Sequence, residues 1–147
     1  LAKVLDRLQQ ELIDSLQGEK IVSLITTDKD TNKPNLSIVS WLVAHQDGKT
    51  IKFALGHNAE SAFNIMENSN LILGVYGADS CYSINGKGTV SDVITKSMKY
   101  RVVTVAIDSV EDVMFYGGKL TKEPEYVKTY DEELAKKLDS EVYELLK

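Results

Sequence analysis

Apolar and polar positions alternate over much of this chain with the two-residue period of a half-buried strand. Residues 21–27 (IVSLITT) are rich in β-branched side chains, and the turn-forming cluster DKDTNKP at 28–34 separates them from a second run at 35–44. In that run Leu36, Ile38, Ser40, Leu42 and Ala44 share one face, and Ser37, Val39, Trp41 and Val43 the other. Gln46-Asp47-Gly48-Lys49 closes a hairpin into a third strand at 50–55. The continuous apolar run at 71–76 (LILGVY) reads as a buried central strand. The strand at 81–90 carries Gly86 and Gly88, and glycine inside a strand marks a bulge or a sharp bend. Residues 101–115 alternate again, with Val103, Val105 and Ile107 opposed to Val102, Thr104 and Ala106, and a candidate bulge at Asp108-Ser109.

Three stretches carry helical spacing instead. Leu1, Leu5, Leu8, Leu12 and Leu16 predict an amphipathic helix over 1–17 that stops at Gly18. Asp131 opens a last helix over 131–146, with Leu134, Leu138, Val142 and Leu145 as its stripe. Between the third and fourth strands, Ala62, Phe63, Ile65 and Met66 mark a short inner helix with Asn58 as its N-cap candidate. Residues 93–99 fit neither period, and 119–130 reads as an ordered loop carrying Pro124. Hairpin spacing implies a largely antiparallel sheet. The expectation is a mainly β (α+β) protein: a six-stranded antiparallel split β-barrel at 20–116 with flanking terminal helices, in one domain over 1–147.

Composition narrows the function classes. The chain has 147 residues, is 43% hydrophobic and 27% charged, and carries a net charge of −5. That suits a soluble acidic protein with a real core and disfavours nucleic-acid binding, which needs clustered cations. The one cysteine, Cys81, excludes an intramolecular disulfide and reads as a small packing residue. No run approaches a membrane span, and the first residues hold an acid and no apolar signal core, so a cytoplasmic location is expected. His45 and His57 are the only histidines and show no metal-ligand spacing. No nucleophile elbow is present, and Gly86-Lys87-Gly88 lies on a strand, so it is no dinucleotide fingerprint.

The stretch FALGHNAESAFNIMEN at 53–68 holds the most chemistry. A strand ends at Gly56 and a helix begins a few residues later. Such a junction leaves backbone N–H groups free to hold an anion.

The order strand, hairpin, strand, short helix, strand, glycine-bearing strand resembles the FMN-binding split barrels related to pyridoxamine-5'-phosphate oxidase. The resemblance rests on residues 21–90: VSLITTD at 22–28 with Pro34, DGKTIKF at 47–53, Asn64-Ile65 with Asn68, and INGKG at 84–88. The strand at 103–115 suits the family's later barrel strand. The resemblance implies a homodimer with FMN at the subunit interface and small-molecule oxidoreductase chemistry. It places the cofactor against Trp41, Leu55, Gly56, His57, Asn58 and Ser61. Departures are equally specific. The family's cationic pair at the start of the inner helix reads Ala59, Glu60 and Ser61 here. The Arg and Lys positions of the full-length oxidases read Val39 and Ala44, the phosphate-capping Thr reads Leu55, and a flavin-contacting Gln reads Cys81. The oxidases' C-terminal substrate signature is absent, so pyridoxamine-phosphate oxidation itself is not expected. A cation from a partner subunit is expected to compensate, with Lys87, Lys99, Arg101 and Lys119 as candidates. The alternative is a non-enzymatic barrel dimer whose degenerate cleft binds another small ligand or none.

Overall fold

Seven strands joined edge to edge, with two short ones attached, form one curled sheet in the computed structural model, which describes residues 3–147. In chain order the elements are β1 (Val4–Leu5), α1 (Gln10–Ser15), β2 (Val22–Thr27), β3 (Pro34–Val39), β4 (Leu42–Ala44) and β5 (Thr50–Gly56). Then come α2 (Glu60–Glu67), β6 (Asn70–Gly77), β7 (Ser80–Val90), β8 (Ile94–Thr95), β9 (Lys99–Asp112) and α3 (Glu132–Leu145). The sheet order is β3-β2-β6-β7-β9-β5-β4, with β1 and β8 added on β9, and every pairing is antiparallel.

β3 and β4 lie at opposite ends of that order yet follow one another in the chain. The sheet therefore curls until its two ends meet at Ser40-Trp41. Leu42, Val43 and Ala44 pair with Phe53, Lys52 and Ile51, and the Ala54 N–H donates to the Trp41 carbonyl at 2.9 Å. Past that bond, Leu55 and Gly56 are laddered only to β9, which is where the barrel splits. Alternate positions fill the interior: Leu24, Ile51, Phe53, Leu73, Ile84, Val103 and Val105 are fully buried. This is the architecture the alternation predicts.

The bulge falls where the sequence places it. Asn85 faces Ser109 and Gly86 faces Ile107, so Asp108 is the extra residue. Gly86 is required by close approach, since a Cβ there would lie 2.6 Å from Val105 Cγ1 and 2.7 Å from the Ala106 carbonyl oxygen. At Gly88 a Cβ would stand 2.9 Å from Ile65 Cγ2, so this glycine lets α2 seat on β7.

Four expectations are corrected. The sheet has nine strands, seven on its main path, where six were expected. The run at 35–44 breaks at Ser40-Trp41, and the break shifts its phase: Val39 and Leu42 are both buried, while Leu36 and Ile38 are 66% and 57% exposed. The N-terminal helix is shorter than 1–17. Leu1 lies outside the described residues; Val4 and Leu5 pair with Glu111 and Val110, on the stretch of β9 that β5 does not reach, and only Gln10–Ser15 is helical. Leu8, Leu12 and Leu16 are buried as their spacing demands, so the periodicity reports burial rather than one continuous helix. The α3 stripe is also displaced, to Ala135, Leu138, Val142 and Leu146, with Leu134 44% exposed. Asp131 does cap α3, accepting from the Leu134 N–H at 2.8 Å. Among the described residues, no helix is long and apolar enough to cross a membrane.

Candidate functional site

The chain leaves β5 at Gly56, turns through His57 and Asn58, and enters α2 at Glu60. Two backbone bonds set this bend: the His57 N–H donates to the Lys99 carbonyl at 3.1 Å, and the Ala59 N–H to the Gly56 carbonyl at 3.0 Å. The second bond carries the turn one residue further than expected. Ala59, not Asn58, is the N-cap, and it offers no side-chain acceptor to the first turn. The N–H groups of Asn58, Glu60 and Ser61 have no hydrogen-bond partner among the described residues. Free donors at a helix start favour an anion. A Cβ built on Gly56 would have nothing within 4 Å, so the bend opens onto free space at its first residue.

Side chains fix α2 beneath this bend. Ser61 is 4% exposed and its hydroxyl lies 3.0 Å from that of Ser37 on β3. Asn64 is fully buried; its Nδ2 donates to Thr26 Oγ1 at 3.1 Å and its Oδ1 accepts from the Lys29 N–H at 3.0 Å. Sequence reading singled out Asn64 as part of a motif without recognising this lock, because neither partner is close in sequence.

A cation is already at the bend, and it comes from the same chain. Arg101 stands opposite Leu55 on β9. Its Nε donates to the His57 carbonyl at 3.0 Å and its Nη1 to the Ser91 carbonyl at 3.1 Å. Its Cζ sits 5.7 Å from the centre of the Phe63 ring on α2. It is half-buried, and among the described residues no carboxylate lies within 4 Å of it, so its charge is not neutralised. The other three cations considered are placed differently. Lys99 is exposed and lends its carbonyl to the bend, Lys87 pairs with Asp108 at 2.9 Å, and Lys119 is exposed on the loop after β9. Glu60 is exposed in the first turn of α2 and contributes, after the neighbouring Asp30, to holding Lys29 above its ordinary pKa.

Of the six residues expected at the cofactor, Leu55 to Asn58 run contiguously into the bend, and Ser61 follows in the first turn of α2. Trp41 belongs to the adjoining face. Its Nε1 donates to Asp139 on α3 at 2.9 Å, and its ring meets Tyr100 edge-on at 5.7 Å between centroids. Tyr100 in turn pairs with Gly56, so Trp41 reaches the bend through Tyr100. Burial, with the Glu141 hydrogen bond at 3.2 Å second, pushes the Tyr100 phenol up to about 12, which keeps it a neutral donor. Clefts open elsewhere on the molecule, two of them against the barrel strands. One of about 160 Å³ lies between Leu5, Glu11, Tyr82 and Asp112; another of about 390 Å³ lies between Ile25, Pro34, Ile72 and Asn85. Neither is lined by the bend.

No protein-family model matches the chain, and no curated protein matches it. Solved structures do. A protein assigned as a pyridoxamine 5'-phosphate oxidase from Lactobacillus delbrueckii aligns over 72% of this chain and 94% of its own, with TM-score 0.61 and 17% identity. HupZ of Group A Streptococcus aligns over 78% and 99%, with TM-score 0.61 and 13% identity. An F420 reductase aligns over 70% and 98%, with TM-score 0.55 and 14% identity. At such identities the likeness is one of fold. The chain has the split-barrel architecture of the pyridoxamine-5'-phosphate-oxidase-like proteins.

Proposed function

We propose that this protein binds FMN or a related flavin at the Gly56–Ser61 bend, as one of a pair of identical subunits, and acts in small-molecule redox chemistry. The reading is carried by one juxtaposition: three unpartnered N–H groups, an open glycine and an un-neutralised guanidinium at a single bend of this fold. A phosphate monoester is the anion these groups suit. The amides of Asn58, Glu60 and Ser61 would donate to its oxygens. Arg101 would supply the charge that Ala59 and Glu60 do not. His57 can offer its ring, and Leu55, opposite Arg101 on the same ladder, would give an apolar flank. The flavin, when bound, supplies the hydride chemistry. The protein's part is then to place it and to shield it from water, which needs no general base.

The test is a comparison of FMN with riboflavin, which lacks the phosphate. FMN is expected to bind at least about tenfold more tightly, the worth of one hydrogen bond to a charged group. Arg101→Gln should remove most of that preference, and Glu60→Gln should enlarge it. Equal affinities for the two flavins, or no binding of either, would contradict the reading. A second reading has its own support. Ser61 spends its hydroxyl on Ser37, and Glu60 adds a negative charge to the first turn. These favour a barrel dimer whose cleft takes a small ligand without chemistry, and a colourless protein unmoved by any flavin would select it.

A further inference from the structure

Where β7 begins and β9 ends, the apolar interior gives way to charge. Ile84 and Val110 face each other and are both buried; one alternation further on, Tyr82 faces Asp112. On the other edge of β9, Leu5 pairs with Val110. Leu12 of α1 and Ala78 of the β6–β7 turn complete the apolar lining of a cavity of about 160 Å³. An apolar cavity of about 150 Å³ takes a benzene ring. Glu11 and Asp112 line the same cavity. Asp112 Oδ1 accepts from the Ser80 hydroxyl at 2.7 Å and from the Met114 N–H at 3.0 Å, while its Oδ2 has no hydrogen-bond partner among the described residues. Among those residues no cation lies within 4 Å of Glu11, Asp79 or Asp112. Burial first, then Asp112, Glu11 and Asp79, raises the Tyr82 phenol above its ordinary value, so three carboxylates act on this ring. Lys3 also lines the cavity, and one cation against three carboxylates leaves the surroundings negative.

We propose that this cavity binds a small primary amine as its ammonium ion, with an aromatic or short branched apolar body. The body would fill the space between Leu5, Leu12, Ala78 and Val110. The ammonium would stand between Glu11 and Asp112 beside Tyr82, whose ring also attracts a cation. An ammonium carries three donors, and the Glu11 carboxylate, Asp112 Oδ2 and the Tyr82 oxygen offer three acceptors. A metal ion suits the cavity less, since Ca²⁺ takes about six to eight oxygen ligands and much of this lining is hydrocarbon. An anion would meet uncompensated carboxylates. None of the lining residues belongs to the Gly56–Ser61 bend, so the inference stands whether or not a flavin binds there.

The probe is benzylamine, titrated into the ¹⁵N-labelled full chain at neutral pH, with benzyl alcohol as its uncharged match. Saturable shifts are expected on the amides of Leu5, Glu11, Ala78, Tyr82 and Asp112. The alcohol should bind at least about tenfold more weakly, the worth of one hydrogen bond to a charged group. Glu11→Gln changes an exposed side chain with no ion pair among the described residues, so it should keep the wild-type circular dichroism and weaken benzylamine about fivefold or more. Asp112→Asn keeps an oxygen for Ser80 and Met114 and should weaken the amine equally. Neither substitution should move the affinity for benzyl alcohol. Equal affinities for amine and alcohol would overturn the inference, as would shifts that map elsewhere or no saturation by about 10 mM amine. So would amine binding that survives both substitutions, or Ca²⁺ moving the Glu11 and Asp112 amides where benzylamine does not.

Discussion

Asn64 ties α2 to β2 and to the β2–β3 turn. It is a buried amide with both ends satisfied, one by a strand hydroxyl and one by the backbone of the β2–β3 turn. Asn64→Leu would keep the volume and strand both partners. The expected loss is about 2–3 kcal/mol, because leaving a buried group unpaired costs more than forming the bond contributes. Urea unfolding checks this, and a midpoint within error of wild type would show the lock to be idle. Arg101 illustrates the reverse relation between sequence and site. The sequence allowed a cation from a partner, and Arg101 was among four candidates. Only the β5–β9 register, Leu55 against Arg101 and Gly56 against Tyr100, shows that it reaches the bend within its own chain.

At the scale of elements, α3 is held by side-chain ties as well as by its apolar stripe. Glu141 accepts from the Ser97 hydroxyl and from the Tyr100 phenol, Asp139 accepts from Trp41 and pairs with Lys128, and Tyr143 accepts from the Glu19 N–H. The Ser97 bonds hold Glu141 below its ordinary value of 4.5. A depressed carboxyl stabilises the fold above its unfolded pKa, and that contribution is lost as pH falls through the folded value. The phenols behave oppositely. Burial first, then carboxylate neighbours, push Tyr100 and Tyr143 up to about 12, so their contribution is full below pH 10 and fades as pH rises toward 12. The seating of α3 should therefore loosen below pH 4.5 and above pH 10. Melting temperature across pH, read beside tyrosinate absorbance, tests this; a Glu141→Gln variant should flatten the acid limb, and an unchanged acid limb would refute the tie. Sequence legibility also differed by element. β2, β5 and β7 were plain as strands between turn signals; β6 was plain as a strand too, but its continuous apolar run was read as buried throughout, and it is buried on one face only, with Tyr76 41% exposed. The break at Ser40-Trp41 was hidden because alternation runs straight through it, and only Val39 and Leu42 facing the same core reveals it. The leucine repeat of the N-terminal stretch was misleading because burial at three- and four-residue steps is also met by a strand, a turn and six residues of helix.

The whole molecule is a barrel closed by chain continuity at one seam and split at the bend, with its last helix packed on one outer face. The fold was legible because its strands alternate. The bend was legible as a place, since Gly56 and the following helix are local features. Its free amides were legible too, as a consequence of a helix start, but the open space at Gly56 and the place of the Arg101 guanidinium were not, because they are set by turn geometry and by strands that meet only in three dimensions. The central claim is that this bend is where the anion of a flavin sits. It is tested most directly by mapping amide ¹H–¹⁵N shifts as FMN is added to the wild-type protein. The account predicts that the largest changes fall on Gly56 through Ser61 and on the Arg101 side-chain Nε, with smaller ones for riboflavin. Shifts confined to the cleft between Leu5 and Tyr82, or to the groove between Ile25 and Ile72, would contradict it.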